Sequence, residues 1–283
     1  MKTVRLPDGT PEGVVVPALG QGTWHMGERG SDRRAEAAAL RLGLDLGMTL
    51  VDTAEMYADG GAEEVVAEAI AGRREEVFLV SKVYPHNAGG RKLEAACERS
   101  LKRLKVERID LYLLHWRGSV PLADTVQAMR RMQQAGKIGL WGVSNLDVDD
   151  LEELGAALPD CAANQVLYNL SVRGPEFDLL PFCRRQGMAL MAYTPVGQGD
   201  RPGSLLRQRA VQAVAARHGA RPAQVAIAWT LRAPGVISIP KAADPAHVRD
   251  NAAAAALQLA PEDLAELDAA FPPPQRKRPL EML

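Results

Sequence analysis

Eight short apolar runs, each followed by a helical pattern and spaced roughly 25–30 residues apart, constrain this chain more than any other feature. They lie at residues 18–20, 49–52, 77–81, 109–114, 138–143, 163–166, 188–192 and 236–239, and the interval lengthens only before the eighth. Several are continuously apolar, as in Leu111-Tyr112-Leu113-Leu114, which suits parallel strands buried on both faces. The helices between them carry start and stop signals. Ser31-Asp32 can cap a helix with Ala37, Leu40, Gly43 and Leu44 on its apolar face, ending at Gly47. Leu93, Ala96, Cys97, Ser100, Leu101 and Leu104 recur at helical steps. Asp147 can cap a helix over 148–157, and Pro261 can open the last one.

Eight βα units are the number that closes a (β/α)8 TIM barrel. The 283 residues fit one α/β domain of that kind, which runs to about 250 residues, so a single barrel domain over 1–283 is expected. Two segments fall outside the repeat. Residues 4–16, with Asp8-Gly9 at the middle, read as an N-terminal β-hairpin that would plug the N-terminal end of the barrel. Residues 194–260 hold extra helices near the C-terminus, around the eighth strand.

Composition excludes several functions. Lys plus Arg total 34 and Asp plus Glu 35, a net charge of -1. That leaves no electrostatic footprint for nucleic acid or an anionic membrane. The start of the chain has no apolar signal-peptide core, and the longest apolar run, 252–257, is far short of the roughly 20 residues that span a bilayer. The three cysteines are widely spaced and fit neither a disulfide framework nor a zinc site, so a cytoplasmic location is expected. No heptad or long apolar stripe advertises an interface, so a monomer is expected. The basic triplet Arg276-Lys277-Arg278 reads as a solvated, extended tail.

Common nucleotide and catalytic motifs fail. Gly20-Gln21-Gly22 follows a strand, but His25 stands where a dinucleotide fingerprint needs glycine. There is no P-loop, no H-E-x-x-H and no C-x-x-C. Gly142-Val143-Ser144-Asn145-Leu146 lacks the second glycine of a nucleophile elbow. No metal site is expected.

In α/β barrels the chemistry sits at the C-terminal ends of the strands. The second strand runs into Asp52 and Tyr57, the third into Lys82, the fourth into His115. Aromatics are scarce, at 5%, yet Trp24, Tyr57, Tyr84, Trp116, Tyr168 and Tyr193 all follow strands, which puts them on one rim. Singly, each ionisable residue has a bland reading: Asp52 a cap, Lys82 a rim charge, Tyr57 a loop anchor, His115 a core histidine. Together they form a proton-transfer set. A phenol near pKa 10 is a weak acid at neutral pH, and an adjacent ammonium lowers that value. Asp52 holds the lysine charged and in place. His115 donates a hydrogen bond to a substrate oxygen. The set can protonate a carbonyl oxygen as charge develops on it.

With these residues in place, the sequence resembles the aldo-keto reductase family over nearly its whole length. The strings are Gly20-Gln21-Gly22-Thr23-Trp24, Asp52-Thr53-Ala54-Glu55-Met56-Tyr57, Ser81-Lys82-Val83, Leu113-Leu114-His115-Trp116, Gly142-Val143-Ser144-Asn145, Asn164-Gln165-Val166, Ala192-Tyr193-Thr194-Pro195 and Ile239-Pro240-Lys241-Ala242. Residues 52–63, 81–90 and 111–116 are most similar to bacterial members that reduce methylglyoxal and similar small aldehydes.

The resemblance implies hydride transfer from NADPH, with NADH possible, to a small carbonyl substrate. It makes Tyr57 the proton donor, Lys82 paired with Asp52 the group that lowers its pKa, and His115 the group that orients the carbonyl. It puts Ser144, Asn145 and Gln165 on the nicotinamide carboxamide, Tyr193 on its ring, and the loop of Thr194, Val196 and Gln198 on the pyrophosphate. Lys241, beside Ala242, would meet the 2′-phosphate. Asn251, assisted by Asp250, would reach the adenine. His247 stands where many relatives carry arginine, and a neutral imidazole does not replace a bidentate guanidinium, which weakens selection for NADPH over NADH. The substrate pocket is expected from Trp24, Met56, Tyr84 and Trp116, with His86 and the C-terminal tail at its edge. Trp229, Cys97 and Cys183 read as core, and His218 as a helix C-terminal charge. Two other readings use the same residues: a Schiff-base lysine enzyme at Lys82, and a cofactor-binding sensor that turns over weakly.

Overall fold

The computed structural model describes residues 1–198 and 204–283. Two antiparallel strands, β1 (Thr3–Leu6) and β2 (Val14–Pro17), form the expected hairpin. Eight parallel strands follow: β3 (Gln21–Gly22), β4 (Leu50–Asp52), β5 (Phe78–Val83), β6 (Ile109–Leu114), β7 (Ile138–Ser144), β8 (Cys161–Leu167), β9 (Ala189–Tyr193) and β10 (Val236–Ser238). They pair in strict chain order. Bridges from Leu19 to Ser238 and from Gly22 to Lys241 join the two ends, so the sheet closes into a barrel.

Closure explains a shift in the first strand. The apolar run 18–20 predicts a strand there, but the ladder to β4 forms at Gln21 and Gly22. Residues 18–20 instead meet β10 across the seam, where Ser238 donates to the Ala18 carbonyl at 2.8 Å and Gly20 donates to the Ser238 carbonyl at 2.9 Å. Gln21 is polar but buried, and its amide donates to the carbonyls of Leu40 and Met48 at 3.2 and 3.0 Å. Gly43 makes room for it: a Cβ there would lie 1.9 Å from the Gln21 amide oxygen.

Alternation along the strands divides the core. In β6, Leu111 and Leu113 belong to one apolar cluster with Val80, Met191 and Ile237. Tyr112 and Leu114 belong to another, with Leu93, Leu101 and Val126 of the surrounding helices. The hairpin residues Val4, Leu6 and Val16 join the first, interior cluster. Lys82 lies two residues from Val80 on β5, so it shares the interior face.

The helices are α1 (Arg33–Asp45), α2 (Gly61–Ile70), α3 (Gly90–Leu104), α4 (Leu122–Gln134), α5 (Val148–Glu152), α6 (Leu179–Gln186), α7 (Arg209–Arg217), α8 (Pro222–Thr230), α9 (Pro245–Ala253) and α10 (Pro261–Ala270). Asp32 caps α1 through the backbone N–H groups of Arg34 and Ala35. Asp147 caps α5, but that helix is shorter than the expected 148–157. Gly155, at φ 53, breaks it, and a 3-10 segment containing Pro159 follows. His218 ends α7 as expected and meets the Asp263 carboxylate at 2.6 Å. Trp229 is fully buried, with the Arg232 guanidinium 3.6 Å above its ring. Cys97 and Cys183 are buried, and burial pushes both thiols up to about 12. No described helix is long and apolar enough to cross a membrane, and no described group of His, Cys, Asp and Glu side chains could hold a metal ion.

Candidate active site

The strand ends bring Asp52, Tyr57, Lys82 and His115 together at one end of the barrel. Asp52 closes β4, Lys82 sits within β5, and His115 follows β6, its N–H bonded to the Val83 carbonyl at 3.0 Å. Tyr57 stands in the turn after β4. The next three residues, Ala58, Asp59 and Gly60, all take positive φ, at 50°, 52° and 92°. Left-handed alanine and aspartate are uncommon, and such strain persists where the surroundings over-determine it. Here it turns the chain so that the phenol points back over β5.

Lys82 has no exposed surface, and each of its three N–H groups has a partner. Nζ lies 2.7 Å from Asp52 Oδ2, 2.9 Å from the Thr53 carbonyl and 3.2 Å from the Tyr57 hydroxyl. Burial alone would push the ammonium down, but Asp52 and Tyr57 outweigh it and hold Lys82 above the ordinary lysine range. A Schiff-base lysine needs a free amine, so this environment opposes the reading of Lys82 as a Schiff-base lysine.

The phenol behaves differently from the expectation of a lowered pKa. Burial pushes Tyr57 up, Lys82 pulls it down and Asp52 opposes that pull, and the net direction is upward. Tyr57 is therefore fully protonated at neutral pH, the state that a proton donor requires. Lys82 acts on it in a low-dielectric setting, where its charge counts most once negative charge develops. His115 is also settled. Burial, reinforced by Lys82, takes its pKa down to about 2. Nδ1 is buried without a partner among the described residues, and the ring meets Tyr57 edge-on at 5.7 Å. A neutral imidazole can donate one hydrogen bond without adding a cation beside Lys82.

One link joins the proton relay to the other expected site residues. Gln165 Nε2 donates to Asp52 Oδ1 at 2.8 Å, across 113 residues of sequence. With its amide nitrogen committed there, its oxygen is left as the acceptor. Asn145, at φ 59, donates to the His115 carbonyl and to Ser144 Oγ, both at 3.1 Å, and accepts from the Tyr193 hydroxyl at 3.0 Å. Ser144 Oγ donates to the Gln165 carbonyl at 2.9 Å. Burial pushes the Tyr193 phenol up to about 12. These polar groups converge on a cavity of about 540 Å³, within the usual range for small-molecule sites.

Of the expected residues, Asp52, Tyr57 and His115 line this cavity, and Lys82 sits behind them. Ser144, Asn145, Gln165, Tyr193, Thr194, Val196, Gln198 and Lys241 line it too, as do Trp24, Met56 and Trp116. Tyr84 does not. It meets Trp116 edge-on at 5.9 Å without joining the lining. Tyr168 is a second departure: it is fully buried and bonded to Glu176 and Arg232, away from the lining. Ala242, His247, Asp250 and Asn251 also lie outside the lining, at the entry to α9 or along it. His247 is exposed and Asn251 buried. Asp250 pairs with Arg221 at 3.0 Å.

A lining residue without a sequence signal stands beside Trp24. His25, at φ 62, faces the cavity from the turn after β3, with its ring 4.2 Å from Trp24. Met282 and Leu283 line it from the end of the chain, where the C-terminal tail is expected at the pocket edge. The tail is folded back rather than merely solvated: Lys277 reaches Asp147 and Asp178, both at 2.6 Å. The Lys277 contacts themselves carry no signal, because a tail of Pro and basic residues has no periodicity.

The aldo/keto reductase family model matches residues 18–271. The chain is 54% identical over 274 residues to methylglyoxal reductase YeaE of Escherichia coli, a match covering 95% of this chain and 96% of that protein. It is 33% identical over 271 residues to a glyoxal reductase of Bacillus subtilis, covering 94% and 92%. An aldo/keto reductase from Klebsiella pneumoniae, crystallised with NADP and acetate, superposes with a TM-score of 0.95 at 51% identity, covering 100% of this chain and 99% of that one.

Proposed function

We propose, from the premise that the chain belongs to the aldo/keto reductase family, that it reduces methylglyoxal and other small or aryl aldehydes to alcohols with NADPH. The observation that carries this reading is the buried Lys82, bonded at once to Asp52 and to the Tyr57 hydroxyl, both of which line the cavity.

The chemistry of the donor set fits a nicotinamide. The committed Gln165 nitrogen leaves an amide oxygen to accept from a carboxamide, and Ser144 and Asn145 lie beside it. The Tyr193 ring offers an apolar face. Lys241 is exposed at the rim and would meet the 2′-phosphate. The loop of Thr194, Val196 and Gln198 would meet the pyrophosphate, and Asn251 the adenine. NADPH supplies the hydride when bound. The protein does the rest. His115, neutral, donates a hydrogen bond to the carbonyl oxygen and orients it. Tyr57 gives that oxygen its proton as charge builds there. Lys82, held protonated by Asp52, stabilises the phenolate left behind. Trp24, Met56 and Trp116 exclude water from the carbonyl. We assign the protein to the cytoplasm as a monomer.

The first test follows loss of NADPH and NADH absorbance in parallel with methylglyoxal. Turnover with NADPH is expected, and Lys241→Met should raise the KM for NADPH about tenfold while moving that for NADH less than about twofold. Equal shifts for both cofactors would remove Lys241 from the 2′-phosphate. A second test uses pH. Because His115 stays neutral down to about 2, kcat should show no inflection near the ordinary histidine value of about 6.5. A rate step there would mean that His115 titrates.

A further inference from the structure

Glu55 lies two residues before Tyr57, yet the proton relay does not use it. Its side chain is 6% exposed, and a carboxylate is rarely buried without partners. Oε1 accepts from the backbone N–H of Tyr84 at 2.8 Å and from Asn87 Nδ2 at 3.1 Å. Arg99, on α3, approaches Oε2 at 3.7 Å. The carboxylate of one rim loop thus latches the turn that opens the next.

That turn carries Tyr84, whose ring stacks on His86 at 4.8 Å and meets Trp116 edge-on at 5.9 Å. Trp116 lies 4.9 Å from His115, and His115 lies 5.7 Å from Tyr57. Five rings therefore form a row from the exposed His86 to the phenol. Trp116 forms part of the cavity wall, and Tyr84 is the support behind it.

We propose that Glu55 is a positioning residue that sets substrate specificity: by latching the Tyr84 turn it fixes the tilt of Trp116, and with it the preference between aryl and small aliphatic aldehydes. The inference rests on the reading of this site as a carbonyl reductase. An aryl ring can pack against the indole face or edge, whereas methylglyoxal has no ring to do so. Freeing the Tyr84 turn removes the backing of Trp116 and penalises only the substrate that uses the wall.

The test compares benzaldehyde and methylglyoxal with wild type, Glu55→Ala, Glu55→Gln and Tyr84→Ala. In Glu55→Ala, kcat/KM for benzaldehyde is expected to fall about tenfold and that for methylglyoxal less than about threefold. Glutamine keeps an acceptor oxygen for the Tyr84 N–H, so Glu55→Gln should hold the ratio within about twofold of wild type. Tyr84→Ala should shift the ratio as Glu55→Ala does, and the double variant should add nothing. An unchanged ratio in Glu55→Ala, or an equal loss for both substrates, overturns the proposal. Benzamide, which is not reduced, reads the same wall without turnover: its affinity, followed by tryptophan fluorescence, should weaken about fivefold in Glu55→Ala. Equal benzamide affinity overturns the proposal, whereas wild type that reduces neither aldehyde overturns the reductase reading instead.

Discussion

Tyr57→Phe is expected to lower kcat for methylglyoxal by about 10²–10⁴-fold, the usual contribution of a positioned general acid, while NADPH still binds. The substitution removes one oxygen. The ring keeps its place against His115, and Lys82 keeps its bonds to Asp52 and Thr53. Cofactor affinity, read by fluorescence titration, should change less than about threefold, because no expected cofactor contact is lost. Carbonyl reduction at near-wild-type rate would take the proton-donor role away from Tyr57. Loss of rate together with loss of NADPH binding would show that the phenol matters to the site's shape rather than to proton transfer.

Lys82→Met is expected to be costly twice over. It removes the charge that stabilises the Tyr57 phenolate, so activity should fall at least as far as in Tyr57→Phe. It also leaves Asp52 buried, with only the Gln165 amide and no cation. Breaking a buried ion pair from one side typically destabilises by about 3–5 kcal/mol, which for a protein of this size corresponds to a melting temperature lower by on the order of 10 °C. The pH dependence has a definite sign. Burial already pushes Asp52 up, and Lys82 opposes it; without Lys82 the carboxyl rises further. A carboxyl whose folded value is raised destabilises the fold in full above that value, and the penalty is relieved progressively as pH falls from there toward the ordinary carboxylate range. The melting deficit of Lys82→Met should therefore shrink in mild acid, and adding Asp52→Asn should recover much of it at neutral pH. A deficit that does not change with pH and survives Asp52→Asn would mean that lost packing, not an unpaired charge, is responsible.

The barrel was legible because its cause is periodic. Continuous apolar runs such as Leu111-Tyr112-Leu113-Leu114 are what a strand buried on both faces requires, and their eightfold recurrence leaves few ways to bury them. The ends of helices were less legible. The helix expected over 148–157 stops at Glu152, since Gly155 takes a left-handed backbone that the apolar pattern does not encode. The first strand was displaced for a similar reason: residues 18–20 are apolar enough to be a strand, but the closing seam with β10 competes for them.

At the site, strand-end position was enough to bring Asp52, Tyr57, Lys82 and His115 to one rim. It was not enough to separate wall from support. Tyr84 and Trp116 both follow strands, yet only Trp116 meets the cavity, and the Tyr84 N–H is bonded to Glu55. Gln165 was expected only toward the cofactor, and its bond to Asp52 depends on β4 and β8 facing each other across the barrel interior.

The barrel, the rim on which its chemistry gathers and the residue types available there are all legible along the chain, because strand alternation and repeat length follow from local backbone geometry. What those residues are as acids and bases depends on how the fold packs around them. Burial raises the Tyr57 phenol despite its lysine neighbour, and burial with Lys82 keeps His115 neutral. Solvation and charge interaction depend on what surrounds a group in three dimensions, and those surroundings are assembled from strands far apart in the chain.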